Sequence, residues 1–304
     1  MVYWPGAMDY HTGFTGTSLW IDPLTNIDES GVSTRLHDAN AAGQLAFSTN
    51  STPFGGGSYT HYGVIDAAGV QVWLRTMKNF SLSVQSLALD VAGGTLAKFS
   101  CFGAACSIGV GGQVPVGISL VKLSAAGAFG WQKKIDTNGE SNYATAGFPT
   151  GEFLGFTGSG FNFGCGPVSA HLARFDASGA CVWAKSFLGS VPALHAATNA
   201  AGEALVVATF TGLVDFGCGP VSNAAGTSLA VSKFNAAGTC LFTKTFTGPG
   251  FALGPNADPF PAPHSTGAAE WLIELPFKGA IDLGGGPISP PDPAKAQPLF
   301  IKLD

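Results

Sequence analysis

The side chains able to do chemistry in this 304-residue chain are few and unevenly placed. Its six cysteines fall into three groups, Cys101 with Cys106, Cys165 with Cys181, and Cys218 with Cys240. Its six histidines are His11, His37, His61, His171, His195 and His264. No Cys-x-x-Cys, no His-x-x-x-His and no calcium-loop spacing occurs, so neither a metal nor a cofactor is expected. Gly55-Gly56-Gly57 lacks the Lys-Ser/Thr and helix of a phosphate loop, and Gly158-Ser159-Gly160 reads as a turn rather than a nucleophile elbow. Among carboxylates, Asp38, Glu152, Asp258, Glu270 and the Asp28-Glu29 pair are candidates for acid–base work. A glycosidase needs two such groups roughly 5–10 Å apart across a cleft, and linear order does not establish that distance. Asp66, Asp90, Asp176 and Asp215 read instead as turn and loop residues. Five aromatics stand outside the periodic pattern described below: Tyr10, Trp20, Tyr59, Tyr62 and Trp271. Exposed rings of this kind stack on sugars or anchor protein partners, which makes them the candidate binding residues.

Composition limits what can hold these groups. Charged residues make up 11% and apolar residues 46%, which excludes a disordered chain. With 43 Gly and so few Glu, Lys and Arg, helix surfaces cannot be furnished. The 14 basic and 19 acidic residues give a net charge of −5 and no basic footprint for nucleic acid. No apolar run reaches 18 residues, so no membrane-spanning helix is expected. An all-β protein follows.

The order comes from repetition. Asp66-Ala67-Ala68-Gly69, Ser124-Ala125-Ala126-Gly127, Asp176-Ala177-Ser178-Gly179 and Asn235-Ala236-Ala237-Gly238 share one turn phrase. Four residues after each glycine stands Trp73, Trp131, Trp183 or Phe242, a position that reads as packing between units. A second set, Asn40–Gly43, Asp90–Gly93, Asn199–Gly202 and a weaker Phe148-Pro149-Thr150-Gly151, lies between the first. A side-chain oxygen that accepts from the backbone ahead of it, followed by a left-handed glycine, is hairpin chemistry. Gly-rich excursions such as Phe163-Gly164-Cys165-Gly166-Pro167 and Phe216-Gly217-Cys218-Gly219-Pro220 separate the two hairpins of a unit. Each unit is therefore four antiparallel strands. Five units are expected at about 33–81, 82–141, 142–189, 190–249 and 250–304.

Such units predict one domain over 1–304, a β-propeller of about five four-stranded blades, with six blades as the alternative. The fifth unit ends at Asp304, where its last strand is missing. Val2-Tyr3-Trp4 resembles the Val72-Trp73 and Val182-Trp183 strands and is expected to complete that blade. Residues 9–32, and the Pro-rich stretch from Pro255 to Pro263, fit no repeat and are candidate functional loops.

The succession of strand, Asn-Ala-Ala-Gly, strand, Asp-Phe-Gly-x-Gly-Pro, strand ending in Lys-Phe or Lys-Leu, Asp-Ala-Ser-Gly and Trp-x-Lys resembles bacterial β-propeller repeats of the SBBP type. Residues 203–245 and 152–187 carry it most clearly. The resemblance implies a secreted or cell-surface bacterial protein and brings no catalytic residues with it.

Cys165 and Cys181 occur together in one unit and Cys218 and Cys240 in another, which suggests bridges within units. A six-residue strand spans roughly 20 Å, so such bridges require the Gly-rich excursion to double back along the sheet. Buried free thiols are the alternative. Bridges would place the protein outside the cytosol, in an extracellular, cell-surface or periplasmic setting. The first twenty residues lack the pattern of a signal peptide. The expected function is a non-catalytic binding or structural module for a protein or surface glycan. The alternative is a carbohydrate-active enzyme with carboxylates in an axial funnel.

Overall fold

The computed structural model describes residues 33–303, apart from 41, 52–58, 79–81, 103–104, 110, 137–142, 148–152, 166–169, 247–261, 266–270, 278, 284, 290–291 and 293–296. The expected strand at Val2–Trp4, the insertion at 9–32, the Phe148–Gly151 turn and most of the Pro-rich loop lie outside the described residues. Every described element is a β-strand. The chain forms two compact units, residues 1–139 and 140–304.

The first unit contains two four-stranded antiparallel sheets. Sheet 1 runs β1 (Ser33–Ala39), β2 (Leu45–Ser51), β3 (Tyr59–Ile65), β4 (Gln71–Lys78), paired in chain order. Sheet 2 begins with β5 (Leu82–Leu89) and β6 (Thr95–Cys101). It leaves the sheet for a small ribbon of β7 (Cys106–Ser107) and β8 (Gln113–Val114), then returns as β9 (Gly117–Leu123) and β10 (Phe129–Asp136). Tyr62, Val64, Trp73 and Met77 of sheet 1 share a core with Leu82, Leu87, Ala97, Phe99 and Val121 of sheet 2.

The second unit contains three sheets. Sheet 3 is β11 (Tyr143–Gly147), β12 (Phe153–Phe161), β13 (Ala170–Phe175) and β14 (Cys181–Lys185). Sheet 4 is β15 (Leu188–Thr198), β16 (Ala204–Asp215), β17 (Pro220–Phe234) and β18 (Cys240–Phe246). Among the described residues sheet 5 has three strands, β19 (Ala262–Ser265), β20 (Trp271–Phe277) and β23 (Gln297–Leu303). A ribbon of β21 (Ile281–Asp282) and β22 (Pro287–Ile288) lies between the last two. Pro263 sits in β19 at the sheet's edge, where a residue without an N–H is tolerated.

The apolar run Ala204–Ala208 does not alternate with polar residues because both faces of β16 are buried. Val206, Ala208 and Phe210 belong to a core with Leu172 and Trp183 of sheet 3. Leu205 and Val207 belong to another with Trp271 and Ile273 of sheet 5. First strands of successive sheets are neighbours: β1 with β5, β11 with β15, and β15 with β19. The cores therefore lie between successive sheets rather than within a two-sheet sandwich.

The excursions double back as the cysteine spacing requires. In sheet 4 the β16–β17 hairpin breaks register between Phe210 and Gly212. Its tip brings Phe216 to 5.1 Å from Phe187 and 6.2 Å from Phe210 between ring centres, and Phe187 packs 6.2 Å from Phe234. Cys218 thereby reaches Cys240 beside the opposite turn, with Cα atoms 5.3 Å apart. Cys165–Cys181 does the same in sheet 3, at 5.8 Å. Cys101–Cys106 closes a local loop in sheet 2.

Candidate functional site

The most organised polar region is the turn end of sheets 1 to 4. Asp66 Oδ1 accepts from the N–H groups of Ala68 and Val70 at 2.9 and 2.8 Å, and the Gly69 N–H donates to the Asp66 carbonyl. Asn40, Asp176, Asn199 and Asn235 repeat the pattern, while Asp90 and Ser124 keep its second bond. Asp215 does the same in the Cys218 excursion, accepting from Gly217 and Gly219. These side chains serve the backbone, as their spacing predicts.

The turns join one sheet to the next. Trp73 of β4 lies against Gly127 in the β9–β10 turn, where a Cβ would stand 2.6 Å from the indole. Trp183 of β14 lies on Gly238 in the β17–β18 turn, with the corresponding distance 2.7 Å. Both glycines have φ near +75°, so the turn and the indole each exclude a side chain there. Arginines complete the joints. Arg75 donates to the Ala126 and Gly127 carbonyls at 3.4 and 3.1 Å, and Arg174 to the Gly202 and Ala236 carbonyls at 3.1 and 2.8 Å. The shared Trp position thus packs between sheets, as expected for Trp73 and Trp183.

Sequence reasoning gave no role to Arg75 or Arg174, nor to Lys122 or Lys233. The signal was present in the Lys-Leu and Lys-Phe strand ends. Lys122 pairs with Asp90 at 2.8 Å and Lys233 with Glu203 at 2.9 Å, and Arg174 holds the equivalent place opposite Leu154. A cation one residue before the strand end faces the neighbouring hairpin turn.

The candidate acid Asp38 is held by backbone. Its Oδ2 accepts from the Leu89 N–H at 2.7 Å and its Oδ1 from Ala39 at 2.8 Å. Burial nonetheless raises its pKa to about 6. Glu152, Asp258, Glu270, Asp28 and Glu29 lie outside the described residues. His37 occupies a bulge between Leu36 and Asp38, so Arg35, and not His37, is the pairing equivalent of His195. Burial lowers both histidines to about 4, and His37 Nε2 is 2.8 Å from Ser48 Oγ. Lys98 is fully buried on β6, and burial, then the Arg35 charge, brings it down to about 7. Among the described residues no three His, Cys, Asp or Glu side chains converge as metal ligands.

The aromatic candidates divide. Tyr10 and Trp20 lie outside the described residues. Tyr62 and Trp271, expected as exposed rings, are core residues with 0% and 1% exposure. Tyr62 sits edge-on to Trp73 and Phe99 and donates its hydroxyl to the Ile108 carbonyl at 2.6 Å. Trp271 fills the core between sheets 4 and 5. Their absence from the repeat reflects local filling of inter-sheet space rather than a ligand surface. Tyr59 is half-buried and stacked on His61. The described surface instead carries apolar side chains outside that set: Leu188 (69% exposed), Leu213 (65%), Phe300 (57%) and Phe102 (53%), and Val72, Val182 and Leu241 at one position of the fourth strands. No helix among the described residues is long and apolar enough to cross a membrane. No protein-family model and no curated protein matches the chain.

Proposed function

We propose that the five sheets are the blades of a β-propeller, closed by the Val2–Trp4 strand joining the last blade, and that the protein is a non-catalytic, extracytoplasmic binding module of the kind the SBBP-type resemblance implies. The adjacent first strands and the cores between successive sheets support this architecture. Three disulfides support an oxidising compartment.

The observation that carries the non-catalytic reading is the engagement of the described carboxylates. Asp38 holds the Leu89 amide, Asp90 and Glu203 hold lysines, and Asp66, Asp176, Asp215 and Asp282 hold turn amides. A side chain fixed in this way stabilises a loop and is poorly placed to move a proton at a sugar. The exposed Leu, Val and Phe side chains offer apolar contact, which favours a protein partner.

The test uses the full chain in three assays: polysaccharide hydrolysis, a glycan array, and capture of cell-surface proteins. The expected result is no hydrolysis, no glycan binding, and a captured protein lost on Leu188→Asp/Leu213→Asp. Hydrolysis abolished by Asp38→Asn would replace this reading with the enzyme. Glycan binding without hydrolysis would replace the protein partner with a sugar.

A further inference from the structure

In the first unit, the turns of sheet 1 and the first turn of sheet 2 border an open cleft of about 490 Å³, lined by Ala42, Gln44, Asp66, Ala67, Val91 and Ala92. Its two polar side chains come from facing positions. Leu45 pairs with Ile65, and continuing that register places Gln44 across from Asp66 at the end of the sheet. Hydrogen bonds fix how each is turned. Asn40 Oδ1 accepts from the Ala42 and Gln44 N–H groups at 3.1 and 3.0 Å. Its Nδ2 therefore donates, to Gln44 Oε1 and to the Asp90 carbonyl, both at 2.8 Å. With its oxygen turned to Asn40, Gln44 keeps its Nε2 donor for a further partner. Asp66 uses only Oδ1 on the turn amides of Ala68 and Val70, and its Oδ2 accepts from no other group among the described residues. Sheets 2 and 4 lack this pair. The same places hold Gly94 and Ser124 in sheet 2, and Glu203 and Asn235 in sheet 4, where Lys233 engages Glu203 at 2.9 Å.

We infer that this cleft is a second binding site, which holds one extended residue of a protein partner by its backbone. In an extended chain the N–H and C=O of one residue face the same edge. Asp66 Oδ2 takes that N–H and Gln44 Nε2 gives to that C=O, so the two side chains make the bonds a neighbouring strand would make. The other lining residues are alanines and a valine, whose short side chains let a backbone approach closely. None of the lining residues is aromatic, so a sugar ring has no face to stack on. The site involves neither Leu188 nor Leu213 and does not depend on that surface.

The probe is trialanine, acetylated and amidated at its ends, titrated into the isotope-labelled full chain and followed by NMR. The Gln44 side-chain amide and the backbone amides of Ala67 and Ala92 are expected to shift saturably. The side-chain amides of the exposed Gln71 and Gln132 should stay in place. Two variants keep the turns and remove one bond each. Gln44→Glu retains an oxygen for Asn40, as Glu203 does for Asn199 at 2.8 Å. Asp66→Asn retains Oδ1, as Asn40, Asn199 and Asn235 do in their turns, and puts a donor in place of Oδ2. Each variant, read at Ala67 and Ala92, is expected to weaken trialanine binding about tenfold. No saturable shift in the unmodified chain, or undiminished binding in either variant, would overturn the inference. Shifts of the same amides with methyl glucoside and not with trialanine would replace the peptide with a sugar. Capture of a protein through Leu188 and Leu213 is a separate readout that leaves this result unchanged.

Discussion

At the joint between sheets 1 and 2, Trp73 lies on Gly127 while its buried Nε1 has no hydrogen-bond partner among the described residues. At the joint between sheets 3 and 4, Trp183 lies on Gly238 and its Nε1 donates to the Ala236 carbonyl at 3.0 Å. The cation differs as well. Arg75 comes from the same strand as its tryptophan and stacks 5.8 Å from the indole, whereas Arg174 comes from the neighbouring strand and is nearly buried. The first joint adds bonds that the second lacks among those described, from Asn40 Nδ2 to the Asp90 carbonyl and from the Leu89 N–H to Asp38. The shape of the seat is common to both joints, and the polar groups around it are satisfied by whatever residue each joint has within reach.

The largest effect expected from breaking this comparison is loss of the indoles. Trp73→Ala and Trp183→Ala should each cost about 3–5 kcal/mol in urea unfolding, with Trp73 at the upper end because it is the more buried. Next come the bridges beside each joint. Cys218→Ser/Cys240→Ser opens a longer loop than Cys101→Ser/Cys106→Ser, with separations of 22 and 5 residues. Chain entropy puts the losses at about 3 and about 2 kcal/mol. Arg174→Ala should cost about 2 kcal/mol and Arg75→Ala about 1, because the Arg174 side chain is buried and the Arg75 side chain only half-buried. The sharpest contrast is smaller. Trp183→Phe should lose about 1 kcal/mol with its hydrogen bond, while Trp73→Phe, which removes an unpartnered N–H, should be close to neutral.

Acid should also separate the two units. Burial lowers the folded pKa of His37 and His195 to about 4 from 6.5, so each contributes stability above about pH 6.5 that is lost as pH falls towards 4. Asp38 acts in the opposite direction. Its folded pKa of about 6 exceeds 3.8, so its destabilisation at neutral pH is relieved as pH falls through 6. In the first unit the two effects offset one another. In the second, His195 and the lowered His171, whose Nδ1 accepts from the Phe187 N–H at 3.0 Å, act together. Hydrogen exchange at pH 7 and pH 5 should show greater loss of protection in residues 188–246 than in 33–78. Equal losses would remove the distinction.

The strand order and the turns were legible because each is local: an acceptor, two small residues and a glycine determine a hairpin wherever they occur. The cysteine pairs were legible from their co-occurrence. What a linear reading could not supply was the direction of a side chain across a sheet. Tyr62 and Trp271 broke the repeat and so resembled ligand residues, yet both fill space between sheets that only the folded register defines. The bulge at His37 moved Arg35 into the place of His195, and nothing in the residue types marks an extra residue in a strand. Arg75 and Arg174 reach turns of the next sheet, 51 to 62 residues away at the donor–acceptor pairs with Ala126 and Ala236. The Lys-Leu and Lys-Phe strand ends mark the position that Arg174 occupies, but sequence spacing does not say which turn it reaches.

Radial arrangement of the sheets is most directly tested by small-angle X-ray scattering of the monomeric protein. A closed ring of 304 residues should give a radius of gyration of about 19 Å with a single-peaked distance distribution. A markedly larger radius, with a long tail in that distribution, would mean an open array of sheets and would contradict the account.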